Sequence, residues 1–230
     1  MSFFLLYFSQ QMKKIHCGMK TDTHIARSKG GIRPMSMLLY QGHGSYRITT
    51  DDKRVIYVDP YKGKGYDAKA DIILVTHQHR DHNRVERCAQ KPTCRIITND
   101  EALAGGRHNH FDLDGISVQA VTAGNRNHDP AQCVGLILTV DGIKIYFAAD
   151  TSKTKSMESF AGRKLDYALL PIDGYYNMDS AEAAECAKLI GARVNIPVHT
   201  KPGELFDRER AEAFDAPGRR VVSPGEEIEL

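Results

Sequence analysis

The chain has no Cys-x-x-Cys pair, no long apolar run and almost no net charge, and each absence excludes something. Its five cysteines (Cys17, Cys88, Cys94, Cys133, Cys186) are odd in number and scattered. A disulfide framework is therefore not expected; the thiols read as small packed hydrophobes in a reducing compartment, and a cytoplasmic location follows. No window approaches the ~20 apolar residues of a membrane span, so no membrane association is expected. A formal charge of +2 gives no electrostatic reason to expect nucleic acid as a partner. What remains is ordinary soluble composition, 41% apolar and 26% charged over 230 residues. That length suits one layered domain with one core.

The first 34 residues differ from the rest. The short apolar run Phe3–Phe8 has no basic residue before it and no clear cleavage site after it, which argues against a signal peptide. Lys13 to Arg33 is basic and aperiodic, like a tail or linker. We treat residues 1–34 as an N-terminal extension and 35–230 as the domain, with Met35 and Met37 standing just before the first regular pattern.

The domain is organised around Asp71–His82. Ile72, Ile73, Leu74 and Val75 form an unbroken apolar run, the pattern of a strand buried on both faces. After Thr76, four metal-ligand types follow within six residues: His77, His79, Asp81 and His82. Three imidazoles and a carboxylate packed this closely at a buried strand end call for a cation to gather them. Two histidines spaced i, i+2 converge on one ion, and Asp81 with His82 point to a second. No cysteine lies beside them, so nitrogen and oxygen ligands are expected.

Around this stretch the chain repeats itself. Leu38–Tyr40, Tyr46–Ile48 and Val55–Val58 read as strands, the last ending at Asp59-Pro60. Asn83 to Gln90 reads as an exposed helix, Cys94–Thr98 as a strand, Glu101–Ala104 as a short capped helix, and Ile116–Thr122 as a half-exposed strand. Val134–Val140 and Ile143–Phe147 form a second hairpin around Asp141-Gly142, ending at Asp150 as the earlier one ends at Asp59. Lys164–Pro171 then mirrors Lys69–Thr76. Ser180–Ile190 reads as a helix, with Ala181, Ala184, Leu189 and Ile190 available for its inner face. Val194–Val198, a charged helix over Asp207–Phe214, and terminal strands at Val221-Val222 and Ile228–Leu230 finish the chain. Two β-rich halves with helices outside predict an α/β four-layer αββα sandwich. Asp150 and His199 each follow an apolar strand, either as ligands or as a helix cap and a core histidine. His128 lies in a loop between strands.

Thr76-His77-Gln78-His79-Arg80-Asp81-His82 resembles the His-x-His-x-Asp-His motif of the metallo-β-lactamase superfamily. Gly42-His43-Gly44-Ser45, Val58-Asp59-Pro60, Ala149-Asp150-Thr151, Leu169–Ile172 and Ile196–His199 extend the resemblance over most of the chain from Leu38. They resemble the short, stand-alone hydrolase branch, nearer the ascorbate-6-phosphate lactonase relatives than the antibiotic-degrading enzymes. The resemblance implies the αββα fold and a dinuclear centre. His77, His79 and His128 would hold the first metal, Asp81, His82 and His199 the second, and Asp150 would bridge them. His108 or His110 are alternatives to His128, whose surroundings depart from the usual third-histidine motif. Ala149 stands where a glycine is common.

The implied activity is hydrolysis of a small-molecule ester, lactone, thioester or phosphoester by a metal-held hydroxide, with Asp81 as the catalytic carboxylate. Zinc leads on the donor set, which manganese, iron and nickel share. The chain lacks the large insertions and basic patch of the nuclease branches. His43, Tyr61, Lys62 and Lys201 lie where a substrate could be contacted. The alternative is a non-hydrolytic metal protein, a di-iron redox or metal-sensing one, although the more acidic ligands and flavin domain of such relatives are missing.

Overall fold

The computed structural model of the chain describes residues 35–230. The N-terminal extension inferred from residues 1–34 lies outside the described residues. Strands β1 (Met37–Gly42), β2 (Ser45–Thr49), β3 (Val55–Val58), β4 (Ala70–Leu74) and β5 (Gln90–Ile97) build the first sheet. The second sheet is built from β6 (His110–Leu113), β7 (Ile116–Thr122), β8 (Val134–Val140), β9 (Ile143–Phe147), β10 (Tyr167–Pro171) and β11 (Val194–Val198). A last strand, β12 (Glu227–Glu229), completes the first sheet at its β1 edge.

The strand orders are β12-β1-β2-β3-β4-β5 and β6-β7-β8-β9-β10-β11. Each sheet has three antiparallel pairings followed by two parallel ones. The two halves therefore share one plan, with β3 and β9, β4 and β10, and β5 and β11 as counterparts.

Side-chain alternation places the layers. Ile56, Val58, Ile72 and Leu74 face the core between the sheets, while Val55, Tyr57, Ala70, Ile73 and Val75 face an outer cluster closed by Tyr66 and Cys88. In β10, Tyr167 and Leu169 point inward and Ala168 and Leu170 point out beneath α2 (Ser180–Ile190). Both faces of these parallel strands are covered, which is why they read as continuous apolar runs. Fully burying each Ile or Leu contributes about 1.5–3 kcal/mol.

Two mixed sheets thus pack face to face around a shared core with few helices outside, as the sandwich expectation required. Several local expectations change. Asn83–Gln90 holds only a single 3-10 turn, Val85–Arg87. The Arg84 amide is taken by the Pro60 carbonyl at 2.9 Å, and Gln90 already pairs with Ala70, leaving no length for a helix. Helix α1 is Asn99–Ala102, two residues earlier at each end than expected. Helix α2 has the expected limits, set by the Asp179 side chain accepting from the Glu182 amide and by Gly191 at φ 68°. Its inner face is Ala183, Ala184, Cys186, Ala187 and Ile190, whereas Ala181 is exposed. Helix α3 is Arg208–Glu212. Val221-Val222 forms no strand, although Val222 is buried in the central core. Strand β6 was not anticipated because its residues alternate between exposed and half-buried. No helix among the described residues is long and apolar enough to cross a membrane.

Candidate metal centre

Strand ends from both sheets meet along one edge. After β3 comes Asp59, after β4 the His77–His82 loop, after β9 Asp150, after β10 Asp173, and after β11 His199. The β7–β8 connection brings in His128, and the β1–β2 turn brings in His43. His77, His79 and His128 offer ligand atoms within 4.8 Å of one another. So do His43, Asp81, His82 and His199 as a second group, and His77, His82 and Asp150 as a third.

Each buried histidine is gripped at Nδ1. His82 Nδ1 donates to Asp59 Oδ2 at 2.9 Å, and His128 Nδ1 donates to Asn125 Oδ1 at 3.1 Å. His199 Nδ1 lies 2.9 Å from Asp173 Oδ2. Thr76 Oγ1 donates to Asp59 Oδ2 at 2.6 Å, so at 3.1 Å from His77 Nδ1 it accepts. The tautomer is thereby set, and the Nε2 lone pairs face the shared centre. Nε2 of His77, His82 and His199 is buried with no hydrogen-bond partner among the described residues. Three orphaned imidazole nitrogens set around Asp150 are costly in a folded core and suit cations.

Asp150 lies among them. Its Oδ2 is 3.0 Å from His128 Nε2 and 3.6 Å from His199 Nε2, and its Oδ1 is 3.4 Å from His82 Nε2. Burial opposes its charge, but the surrounding histidines, His199 and His82 foremost, hold its pKa well below the ordinary carboxylate range. Burial likewise opposes charge on His82, and Asp150 and Asp59 outweigh it, pushing the imidazole up to about 9. For His77, burial, with His82 adding to it, outweighs the pull of Asp150 and depresses the imidazole to about 2. Without an ion, protons on some histidines do part of a cation's work.

The residues that the sequence implied as ligands, His77, His79, Asp81, His82, His128, Asp150 and His199, thus come together at one edge. His110 does not; it is exposed on β6 with Nε2 2.7 Å from Ser117 Oγ. His108 is exposed too. His43 is buried, its Nδ1 donating to the Glu204 carbonyl at 2.9 Å and its Nε2 lying 3.1 Å from Asp81 Oδ2.

Residues 37–199 match the model of a beta-lactamase superfamily domain. This chain belongs to that superfamily. A metal-dependent hydrolase of the UPF0173 group from Ligilactobacillus salivarius is 34% identical, covering 70% of this chain and 84% of that protein. One from Thermococcus onnurineus is 29% identical over 85% of this chain and all of its own. Among solved structures, Igni18, a metallo hydrolase from Ignicoccus hospitalis, superposes with a TM-score of 0.68 at 24% identity. It covers 85% of this chain and 98% of its own.

In this superfamily member, sequence reasoning passed over the residues behind the ligands. Thr76 and Asp59 were read as strand ends, and Asp173 and Asn125 were not singled out. The signal available was position: Asp59 ends β3 as Asp150 ends its counterpart β9. His82 sits between those two carboxylates, one on each ring nitrogen. Asp173 serves twice, since its Oδ1 also accepts the Tyr175 and Tyr176 amides, each at 2.7 Å.

The backbone is contorted here. His43, Asp59, Ala149 and His199 all have positive φ, at 57°, 47°, 58° and 45°. Such residues cost of order 1–3 kcal/mol and cluster where function over-determines the chain. Gly44 has its own reason: a Cβ there would stand 2.9 Å from His82 Cε1.

Three of the residues named from the sequence for substrate contact lie away from the cavity that opens on the cluster. Lys201 Nζ turns to Glu204 at 2.6 Å. The Tyr61 ring packs against His43, with centroids 5.4 Å apart, and carries Lys62 over its outer face. None of the three borders the open side of the metal cluster, where His79, Asp81, Asn127, His128, Tyr176 and His199 line a cavity of about 460 Å³.

Proposed function

We propose that this superfamily member is a hydrolase acting on a small molecule with the help of two divalent cations. The observation that carries the reading is the set of buried, unpartnered Nε2 atoms of His77, His82 and His199 converging beside Asp150. In this reading His77, His79 and His128 hold one ion, Asp81, His82 and His199 hold the other, and Asp150 lies between. Charge supports two ions: with neutral histidines, the carboxylates of Asp59, Asp81, Asp150 and Asp173 balance two dications. Oxygen and nitrogen donors without thiolate suit zinc first, with manganese, iron and nickel sharing the same donors. The four described cysteines are free thiols, which fits a cytoplasmic setting.

Ions bound there supply Lewis acidity, lowering the pKa of water and polarising a carbonyl or phosphoryl oxygen. The chain supplies the rest. Asp59, Thr76, Asn125 and Asp173 fix the imidazoles so that their lone pairs need no reorganisation. Both nitrogens of His43 face acceptors, Glu204 O and Asp81 Oδ2. Burial pulls the His43 pKa down while Asp81 pulls it up, with a net lowering. His43 is therefore neutral, with its proton on Nδ1 toward Glu204, and its Nε2 is an acceptor beside Asp81 that would take up a proton released in the reaction and return it, through Asp81, toward a leaving group. The cavity size suits a small ester, lactone, thioester or phosphoester.

The test is elemental analysis of the purified chain followed by a panel of lactones, thioesters and phosphodiesters. About two ions per chain and turnover abolished by chelation are expected. Turnover indifferent to chelation, or a single firmly held ion, overturns the reading.

A further inference from the structure

The open side of the cluster has a second lobe. A cavity of about 470 Å³ shares His79, Asn127 and His128 with the first and continues past Gln78, Asn99, Asp100, Asp129 and Gln132. Among the described residues no lysine or arginine lines either lobe. Arg80 and Arg126, although adjacent in sequence to ligands, are exposed and border neither. Beyond the proposed metal ligands, the charged groups of the lining are two carboxylates, Asp100 and Asp129. A phosphate or carboxylate tail placed here would meet like charge with no cationic side chain to balance it.

The lobe does offer paired donors and acceptors. The wall is pre-ordered: Gln78 Nε2 donates to Asn99 Oδ1 at 2.8 Å, and buried Asn99 donates to the Gln132 carbonyl at 3.0 Å. Asn127 Nδ2 donates to the Tyr176 carbonyl at 3.0 Å. The Gln132 carboxamide makes no hydrogen bond to the described residues, so it presents both a donor and an acceptor to the lobe.

At the lip stand two exposed aromatics. Tyr175 is 65% exposed and Tyr176 45%, the most exposed large hydrophobics of the described residues. They are held, not loose. Asp173 Oδ1 accepts both their amides, and the Tyr176 carbonyl accepts from Asn125 and Asn127, two side chains of the His128 loop. An apolar ring kept rigidly in water beside a polar cleft is a platform for a ligand's C–H face.

We infer that this cleft receives the uncharged, hydroxyl-bearing part of a substrate, with its carbon face on Tyr176 and its hydroxyls on Asn127 and Gln132. The inference rests on the hydrolase reading for the metal end only. It excludes substrates that carry a phosphate on the part lying in this cleft, while leaving the bond cleaved at the metals open.

The test uses binding alone, by calorimetry on the zinc-loaded full chain. D-Gluconate is compared with 6-phospho-D-gluconate, and D-ribonate with its 5-phosphate; each pair shares the carboxylate that faces the metals. The neutral-tailed member is expected to bind at least about tenfold tighter. Tyr176→Ala, which leaves the backbone contacts of the turn in place, should weaken it about fivefold while leaving acetate binding unchanged. Asp100→Lys should narrow the preference between partners. Equal or tighter binding of the phosphorylated members, or no binding of the neutral ones, overturns the inference. Since turnover is not read, a chain that hydrolyses nothing but keeps this preference refutes the hydrolase reading and leaves the cleft standing. Equal binding of the neutral and phosphorylated members by a chain that does hydrolyse a lactone does the reverse.

Discussion

Asp59 Oδ2 and His82 Nδ1 are 2.9 Å apart, and that same carboxylate oxygen accepts from Thr76 Oγ1 at 2.6 Å. Thr76 in turn accepts from His77 Nδ1. One carboxylate that touches neither proposed ion thus orients one ligand of each.

Asp59→Ala should therefore weaken both ions together, by about 10–100-fold in affinity, the usual effect of removing a group behind a metal ligand. Asp173→Ala, which stands behind His199 alone, should weaken one ion and spare the other. Zinc titration against a chromophoric chelator separates the two outcomes.

Asp150→Ala should lower the content of both ions, since its two oxygens face histidines of both sets. His79→Ala should release mainly the ion shared with His77 and His128. Equal losses in the two variants, measured by elemental analysis, would contradict the bridging position.

Asp81→Asn keeps the shape and removes the charge that engages His43. Turnover on the best substrate found should fall by about 10²–10⁴-fold while metal content falls little, as expected of a proton-transfer group. The apparent pKa of the pH–rate profile should also move when zinc is exchanged for manganese. A profile unmoved by the exchange would make His43 the base.

The metal-free chain should show an inverted alkaline limb. His82 is raised from 6.5 to about 9, so its contribution is complete below pH 6.5 and is lost as pH climbs through about 9. Asp173 is lowered from 3.8 to about 2 by its contacts with His199, against burial, so its contribution is present above pH 3.8 and lost on acidification. In EDTA the melting temperature should be highest between these limits and fall from pH 6.5 to 9. With zinc it should rise over the same interval, because cation and proton compete for the same imidazoles.

Ala149→Gly should stabilise. Ala149 sits at φ 58°, where a Cβ costs roughly 1–2 kcal/mol, and glycine returns about half of that after its own entropic cost of about 0.5–1 kcal/mol. A rise of a few degrees in melting temperature is expected, with metal content unchanged.

Much of this site was legible before any coordinates. The ligand loop announced itself because β4 is buried on both faces and stops abruptly before four donors. Asp150 and His199 were legible because each ends an apolar strand. The supporting shell was not. Asp59, Asn125 and Asp173 act through register between strands distant in sequence, and single carboxylates or amides carry no periodic signal. The outer layer over the first sheet misled for the same reason. Asn83–Gln90 has helix-compatible residues, but the Pro60 carbonyl and the early start of β5 claim its ends. Lys201 looked available only because Glu204 is three residues away on a bend that sequence did not reveal.

The proposed ligands divide between the two sheets: His77, His79, Asp81 and His82 from one, His128, Asp150 and His199 from the other. The His199 amide even donates to the His43 carbonyl across the seam at 2.9 Å. Ions seated there would act as a clasp between two halves of common plan. Prising the halves apart would first require ion release, so the lifetime of the folded chain would be set by the off-rate of its metals as much as by its core.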